Sequence, residues 1–175
     1  MHATTIKQSF ALIGMPCSGK TTIGALLAEA LSLKFVDTDR RIEQYVGDTL
    51  QNVLDNRGYM ALRQLEEKIL LKEEITSTVV ATGGSAVYSH DGMNHLKSSA
   101  TVIFLDLPQH LLEQRLTNFA TRGIAKKPGQ SFSSLFAERR ELYLRYADIQ
   151  VDCEGLNIPQ LLAKLVSLTK PEANS

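Results

Sequence analysis

Short apolar runs and amphipathic stretches alternate along this chain. Phe10-Ala11-Leu12-Ile13 is a continuous apolar run of the kind that makes a buried strand. Thr78-Val79-Val80-Ala81-Thr82 and Thr101-Val102-Ile103-Phe104-Leu105 read the same way, and residues 33–37 and Ile149-Gln150-Val151 are shorter strand candidates. Between them the period changes. Ile23, Leu26, Leu27, Ala30 and Leu31 fall on one helical face, and residues 42–46 and 50–54 are helical around Gly47-Asp48. A longer helix follows Gly58, with Leu62, Leu65 and Ile69 inward and Glu66, Glu67 and Lys68 solvated. Pro108 suits a helix start, and further helices are predicted over 132–146 and 158–168. Residues 118–131 have no apolar period and contain Gly123, Pro128 and Gly129, so they predict a loop long enough to be a lid or binding segment. The alternation predicts an α/β fold on a parallel sheet. No repeat or linker divides residues 1–175, which read as one domain ending in a frayed tail at 170–175.

One stretch adds chemistry to that pattern. Gly14-Met15-Pro16-Cys17-Ser18-Gly19-Lys20-Thr21 fits a phosphate-binding P-loop, with a strand before it and a helix after it. Glycines let the backbone wrap a phosphate, and the helix start offers unpaired N–H groups and a positive dipole end. Lys20 would reach the β- and γ-phosphates, and the Thr21 hydroxyl would sit on Mg²⁺.

Composition narrows the partners. With 19 basic and 19 acidic side chains the formal charge is zero, without the electrostatic footprint of a nucleic-acid binder. No apolar run is long enough to span a bilayer, and the first nine residues lack the apolar core of a signal peptide. Cys17 and Cys153 read as reduced thiols of a cytoplasmic protein rather than a metal site. The four histidines show no metal-like spacing.

Other residues join the phosphate site through the predicted fold. Asp37 and Asp39 end the second strand, and ligands of open α/β sheets bind at carboxyl ends of strands. Alternation along an extended segment turns both carboxylates to the crevice, one to help hold Mg²⁺ and one to orient an attacking hydroxyl. The competing explanation is a helix cap supplied by Thr38 or Asp39. Arg139 lies in the middle of the apolar stripe of its helix, so its guanidinium needs a buried partner. That partner is either a protein carboxylate or the carboxylate or phosphate of a ligand. Arg140 and Arg145 fall away from the stripe and read as solvated. Arg63 has Glu66 and Glu67 within helical reach, which predicts a surface ion pair. Gly83-Gly84 is either a simple turn or a place where backbone approaches a ligand closely.

Taken in series, the P-loop through Thr22, the segment Phe35 to Glu43, Gly58 to Glu66, Val79 to Gly84 and Glu138 to Tyr143 resemble the shikimate kinase family. The resemblance implies a P-loop NTPase-type three-layer sandwich, a five-stranded parallel sheet flanked by helices. It implies ATP- and Mg²⁺-dependent phosphorylation of the shikimate 3-hydroxyl, and the protein is read as a cytoplasmic monomer. ATP would be held by Gly14, Pro16, Cys17, Ser18, Gly19, Lys20, Thr21 and Thr22, and the metal by Thr21 and Asp37. The acceptor would be held by Asp39, Arg63, Gly83, Gly84 and Arg139, with Asp39 nearest the attacking hydroxyl. Two departures stand out: Ser85 replaces a third glycine, and the lid lacks the usual Arg-Pro followed by two leucines. Among the lid cations Arg122, Lys126 and Lys127, Arg122 is expected to be catalytic, since its fork can bridge two phosphate oxygens. The alternatives are another polyhydroxy or sugar acid as acceptor, and a regulatory nucleotide-binding module without catalysis.

Overall fold

In the computed structural model, residues 8–116 and 123–170 are described. Five strands, β1 (Phe10–Ile13), β2 (Lys34–Asp37), β3 (Thr78–Ala81), β4 (Thr101–Asp106) and β5 (Ile149–Asp152), form one sheet in the order β2-β3-β1-β4-β5. Every neighbouring pair is parallel. The helices are α1 (Lys20–Leu31), α2 (Thr38–Val46), α3 (Leu50–Lys72), α4 (His90–Ser99), α5 (Gln109–Arg115), α6 (Phe132–Tyr146) and α7 (Ile158–Thr169). Helices α1 and α7 pack against each other, as do α3 and α4, and the sheet lies within a three-layer α/β sandwich.

The apolar runs explain the sheet order. Strands β1 and β3 are buried at every position, and so are the middle four residues of β4, as parallel strands covered on both faces must be. The edge strands β2 and β5 carry the polar and exposed positions Lys34 and Gln150. Strand β1 pairs with β3 on one side and β4 on the other, so the chain reverses its winding direction there and opens a crevice at the carboxyl ends. The P-loop emerges at that point.

Two stretches differ from the sequence pattern. Residues 86–99 form a 3₁₀ turn (Ala86–Tyr88) and α4, although they are polar and contain Gly92. Here the Ser89 side chain caps the helix by accepting the Gly92 N–H, and only Met93, Leu96 and Gly92 are needed inside. Helix α3 runs through Gly58, whose φ of 80° and ψ of 170° break the helical geometry at the junction anticipated between two helices.

The main core joins both faces of β1, β3 and β4, and a smaller cluster of Ile42, Val53, Leu62 and Ile69 sits between α2 and α3. The loop after α5 ties these together. Ile124 belongs to the main core and Ala125 to the smaller one, so the described part of the lid segment is anchored by this adjacent apolar pair. Leu12, 0% exposed at the centre of the sheet, has no surface onto which neighbours could relax. Leu12→Ala is therefore expected to cost about 2–5 kcal/mol, read as a lower urea midpoint at unchanged m value.

Candidate active site

The loop from Gly14 to Gly19 is shaped by its own backbone. Gly14 has φ of 151°, and a Cβ there would lie 2.9 Å from the Leu105 carbonyl oxygen, so no side chain fits. Lys20, the first residue of α1, folds back over this loop. Its Nζ donates to the carbonyls of Gly14 at 2.7 Å and Met15 at 2.8 Å and to the Ser18 hydroxyl at 3.3 Å. Burial lowers its pKa to about 8, and the nearby Asp39 carboxylate opposes that shift.

Below the loop, the Thr21 hydroxyl donates to Asp37 Oδ2 at 2.7 Å. Asp37 Oδ1 accepts the N–H groups of Asp39 and Arg40 and so caps α2. The expected cap is thus real, but Asp37 supplies it rather than Thr38 or Asp39. Asp39 does not lie in the strand: it occupies the first turn of α2, and the helical turn, not strand alternation, brings it beside Lys20. Removal from bulk water, together with Asp37, raises the Asp39 pKa to about 6.

A cleft of about 300 Å³ opens beside the P-loop, lined by Lys20, Asp39, Glu66, Ser85, Ile124 and Arg139 among others. The turn after β3 forms one wall. A Cβ on Gly83 would collide with Glu66 Oε1 and lie 2.6 Å from Asp39 Oδ1. On Gly84 it would lie 2.8 Å from Arg139 Nη1 and 2.9 Å from Pro16 Cδ. Both glycines exist because side chains crowd the backbone, which goes beyond a simple turn. Thr38 Oγ1 accepts the Gly83 N–H at 2.9 Å, and the buried Tyr143 hydroxyl donates to the Gly84 carbonyl at 2.6 Å. The turn is held from both sides.

Arg139 is 1% exposed and donates from Nη2 to the Ala125 carbonyl at 2.6 Å, while its buried Nε has no partner. Among the described residues it forms no ion pair with a carboxylate. Arg63 corrects a second expectation. Its guanidinium stacks 3.5 Å over the Tyr88 ring and 5.0 Å from that of Tyr59, and its Nε and Nη2 are buried without partners. Glu66 and Glu67 turn away to the Ser85 and Ser89 hydroxyls, so no Arg63 ion pair with them exists. Arg139 also lies over the Tyr88 ring, at 5.6 Å, which brings two guanidinium groups to one aromatic.

The sequence model of the shikimate kinase family matches residues 16–170. A shikimate kinase from Aquifex aeolicus is 32% identical over 159 residues, 90% of this chain and 93% of that protein. One from Synechococcus elongatus is 34% identical over 174 residues, 94% of this chain and 90% of that protein. The chain belongs to the shikimate kinase family. Among solved structures, shikimate kinase from Acinetobacter baumannii in complex with shikimate superposes with a TM-score of 0.83 at 29% identity, covering 92% of each chain. Deoxyadenosine kinase from M. mycoides shares the fold alone, with a TM-score of 0.58 at 15% identity over 93% of this chain and 100% of that one.

Within this member of the family, three further residues belong to the site. Glu66 was expected among solvated positions but is 4% exposed, and burial together with Asp39 raises its pKa to about 7. Its place, four residues after Leu62 and three before Ile69, was the available signal. Ser85 and Tyr143 carry no such signal, because tertiary contacts bring them in. Arg140 is not merely solvated: it pairs with Asp106 at 2.7 Å. Lys127 pairs with Glu138 at 3.6 Å on the surface, and the expected lid cation Arg122 lies outside the described residues. Since Gly84 separates Arg139 from Pro16, Gly84→Ala is expected to displace one of them. The folded variant should lose most of its thermal stabilisation by acceptor; retention of that stabilisation would mean the wall is not where we place it.

Proposed function

We propose that the protein transfers the γ-phosphoryl group of ATP to the 3-hydroxyl of shikimate, acting as a single-domain cytoplasmic monomer. The observation that carries this reading is Arg139, fully buried in the wall of the P-loop cleft with an unpartnered Nε, together with the half-buried Arg63, which shares the Tyr88 ring with it and has two unpartnered nitrogens of its own. Two like charges sharing one aromatic call for an anion, and the single carboxylate of shikimate supplies one. The family membership and the shikimate bound to the Acinetobacter baumannii relative support the same acceptor.

The nucleotide end follows from the loop. Phosphate oxygens would take the place of the carbonyls now held by Lys20, with Gly19, Thr21 and Thr22 at the α1 N-terminus. A second cavity of about 250 Å³ adjoins the loop at Gly19 and Thr22 and is lined by Leu107, Arg115, Leu156, Ile158 and Leu161. Its apolar walls and one planar cation suit the adenine ring. Thr21 and Asp37 form a hydroxyl–carboxylate pair suited to Mg²⁺, which neutralises charge on the β- and γ-oxygens when bound. Among the described residues no three acidic, His or Cys side chains converge, so phosphates and water would complete its shell.

In the reaction the acceptor hydroxyl oxygen bonds to the γ-phosphorus while the bond to the β,γ-bridging oxygen breaks, and ADP leaves. Asp39 orients the hydroxyl and takes its proton, Glu66 accepts a neighbouring hydroxyl, and Arg63 and Arg139 hold the carboxylate. Lys20 and the lid's Arg122 balance charge on the transferring group, and Ile124 over the cleft excludes water. ADP release over a panel of hydroxy acids tests the reading. Turnover of shikimate is expected, while turnover of only a different acid would reassign the acceptor.

Arg139→Lys should raise the shikimate KM by tenfold or more, on the order of one lost bidentate contact, and leave the ATP KM unchanged. A parallel loss of ATP affinity would make the arginine structural. The profile of kcat/KM against pH should be bell-shaped. It should rise from about 6 to about 7 as Asp39 and Glu66 lose protons and fall above about 8 as Lys20 loses its charge. Both carboxylates are raised, so activity is absent below their values; Lys20 is lowered, so activity is lost above its value.

A further inference from the structure

Glu66 is a buried acid with an unusual set of neighbours. It projects from α3 into the cleft, and its Oε1 faces the Gly83 backbone on the side occupied by Asp39 Oδ1. The charged groups that face it are Asp39 from α2 and Arg139 from α6. Neither is bonded to it in the described structure. The side chain that does bond to it is Ser85, whose hydroxyl donates to Oε2, and the Ser85 backbone N–H adds a second donor.

Ser85 is well placed to hold another residue still. It is 4% exposed, lines the same cleft and precedes the 3₁₀ turn at Ala86–Tyr88. That turn is fixed by the Ala86 N–H on the Gly83 carbonyl at 3.2 Å and the Tyr88 N–H on the Ser85 carbonyl at 3.1 Å. The hydroxyl is thus mounted on a rigid bend, while Glu66 has three side-chain torsions to restrain. A glycine at position 85 would retain the N–H and lose the hydroxyl.

We propose that Ser85 is a positioning residue for the acceptor: its hydroxyl fixes the Glu66 carboxylate over Gly83, beside Asp39, so that two carboxylates receive two neighbouring hydroxyls of one substrate. The inference rests on the cleft being the acceptor site. Asp39 takes the reacting hydroxyl and Glu66 the adjacent one. Donors to a carboxylate favour its charged form, so Ser85 also opposes the protonation that burial and Asp39 promote. Without the serine, Glu66 would be freer to swing and would more often carry a proton, offering a donor where an acceptor is required.

The test uses Ser85→Ala, Ser85→Gly and Ser85→Thr in the full chain. The Glu66 carboxyl is followed by carbon-13 NMR without ligands, its signal assigned by its absence in Glu66→Gln. In the Ala and Gly variants the midpoint should rise by about one pH unit, the scale of a lost hydrogen bond to a charged group, and Thr should restore it. With shikimate, the acceptor KM at neutral pH should rise by roughly tenfold in Ala and Gly, with kcat and the ATP KM little changed. That deficit should narrow as the pH rises through about 8, the raised midpoint, because Glu66 then ionises progressively in the Ala and Gly variants as well. An unmoved Glu66 midpoint in both Ala and Gly overturns the proposal, whatever the acceptor proves to be. Equal loss in kcat and both KM values at every pH also overturns it, since that is what a structural serine would produce. Failure of the parent protein to turn over shikimate would sink the acceptor assignment instead and leave the NMR result standing on its own.

Discussion

A buried ammonium organises this molecule. Lys20 is 8% exposed and sits at the start of α1, where the helix dipole is positive and a cation is least welcome. Its Nζ is accommodated because the loop turns two carbonyls toward it and because Asp39, Asp37 and their surroundings supply negative charge. The loop keeps its shape around the cation and the cation keeps its place within the loop. A phosphate entering here meets donors already arranged, so little reorganisation is left for the moment of reaction.

The half of the cleft away from the loop answers the same constraint with opposite charges. Asp39 and Glu66 lie near the cationic P-loop, and Arg139 lies against the Gly84 side of the Gly83-Gly84 turn, with Arg63 on the Tyr88 ring that Arg139 also faces. That turn is the wedge between the two groups. Its bare backbone lets Asp39 and Glu66 approach from one side and Arg139 and Pro16 from the other. Any side chain at Gly84 would push Arg139 and the P-loop apart. Ile124 and Ala125 cover the arrangement and bring both core clusters to the edge of the chemistry, so water exclusion and stability draw on the same apolar contacts.

Much of this was legible in one dimension because short-range rules decided it. The runs that make β1, β3 and β4 are apolar throughout, and the P-loop is a local motif whose strand and helix flank it directly. Arg139 stood out because a charge on an apolar helical stripe is visible from periodicity. Glu66 lies on such a stripe too, between Leu62 and Ile69, yet its charged neighbours Glu67 and Lys68 drew it toward a surface reading. Arg63 was read from its own helix, where carboxylates are near. Its partners proved to be aromatic rings, one of them Tyr88 from a distant turn, which no rule of helical spacing reaches.

By itself the sequence determined the order of the strands, the phosphate loop and, through short motifs taken in series, the family, since each apolar run and each motif depends on residues within a few positions of one another. Tertiary structure decided which polar groups are buried together. Asp37 divides its two oxygens between a helix cap and Thr21, Ser85 meets Glu66 from another part of the chain, and Tyr143 secures the glycine turn from α6. Those choices turn on how far each carboxylate and guanidinium is removed from water and on what remains to face it. Burial and proximity are properties of the packed chain, and no window of residues contains them.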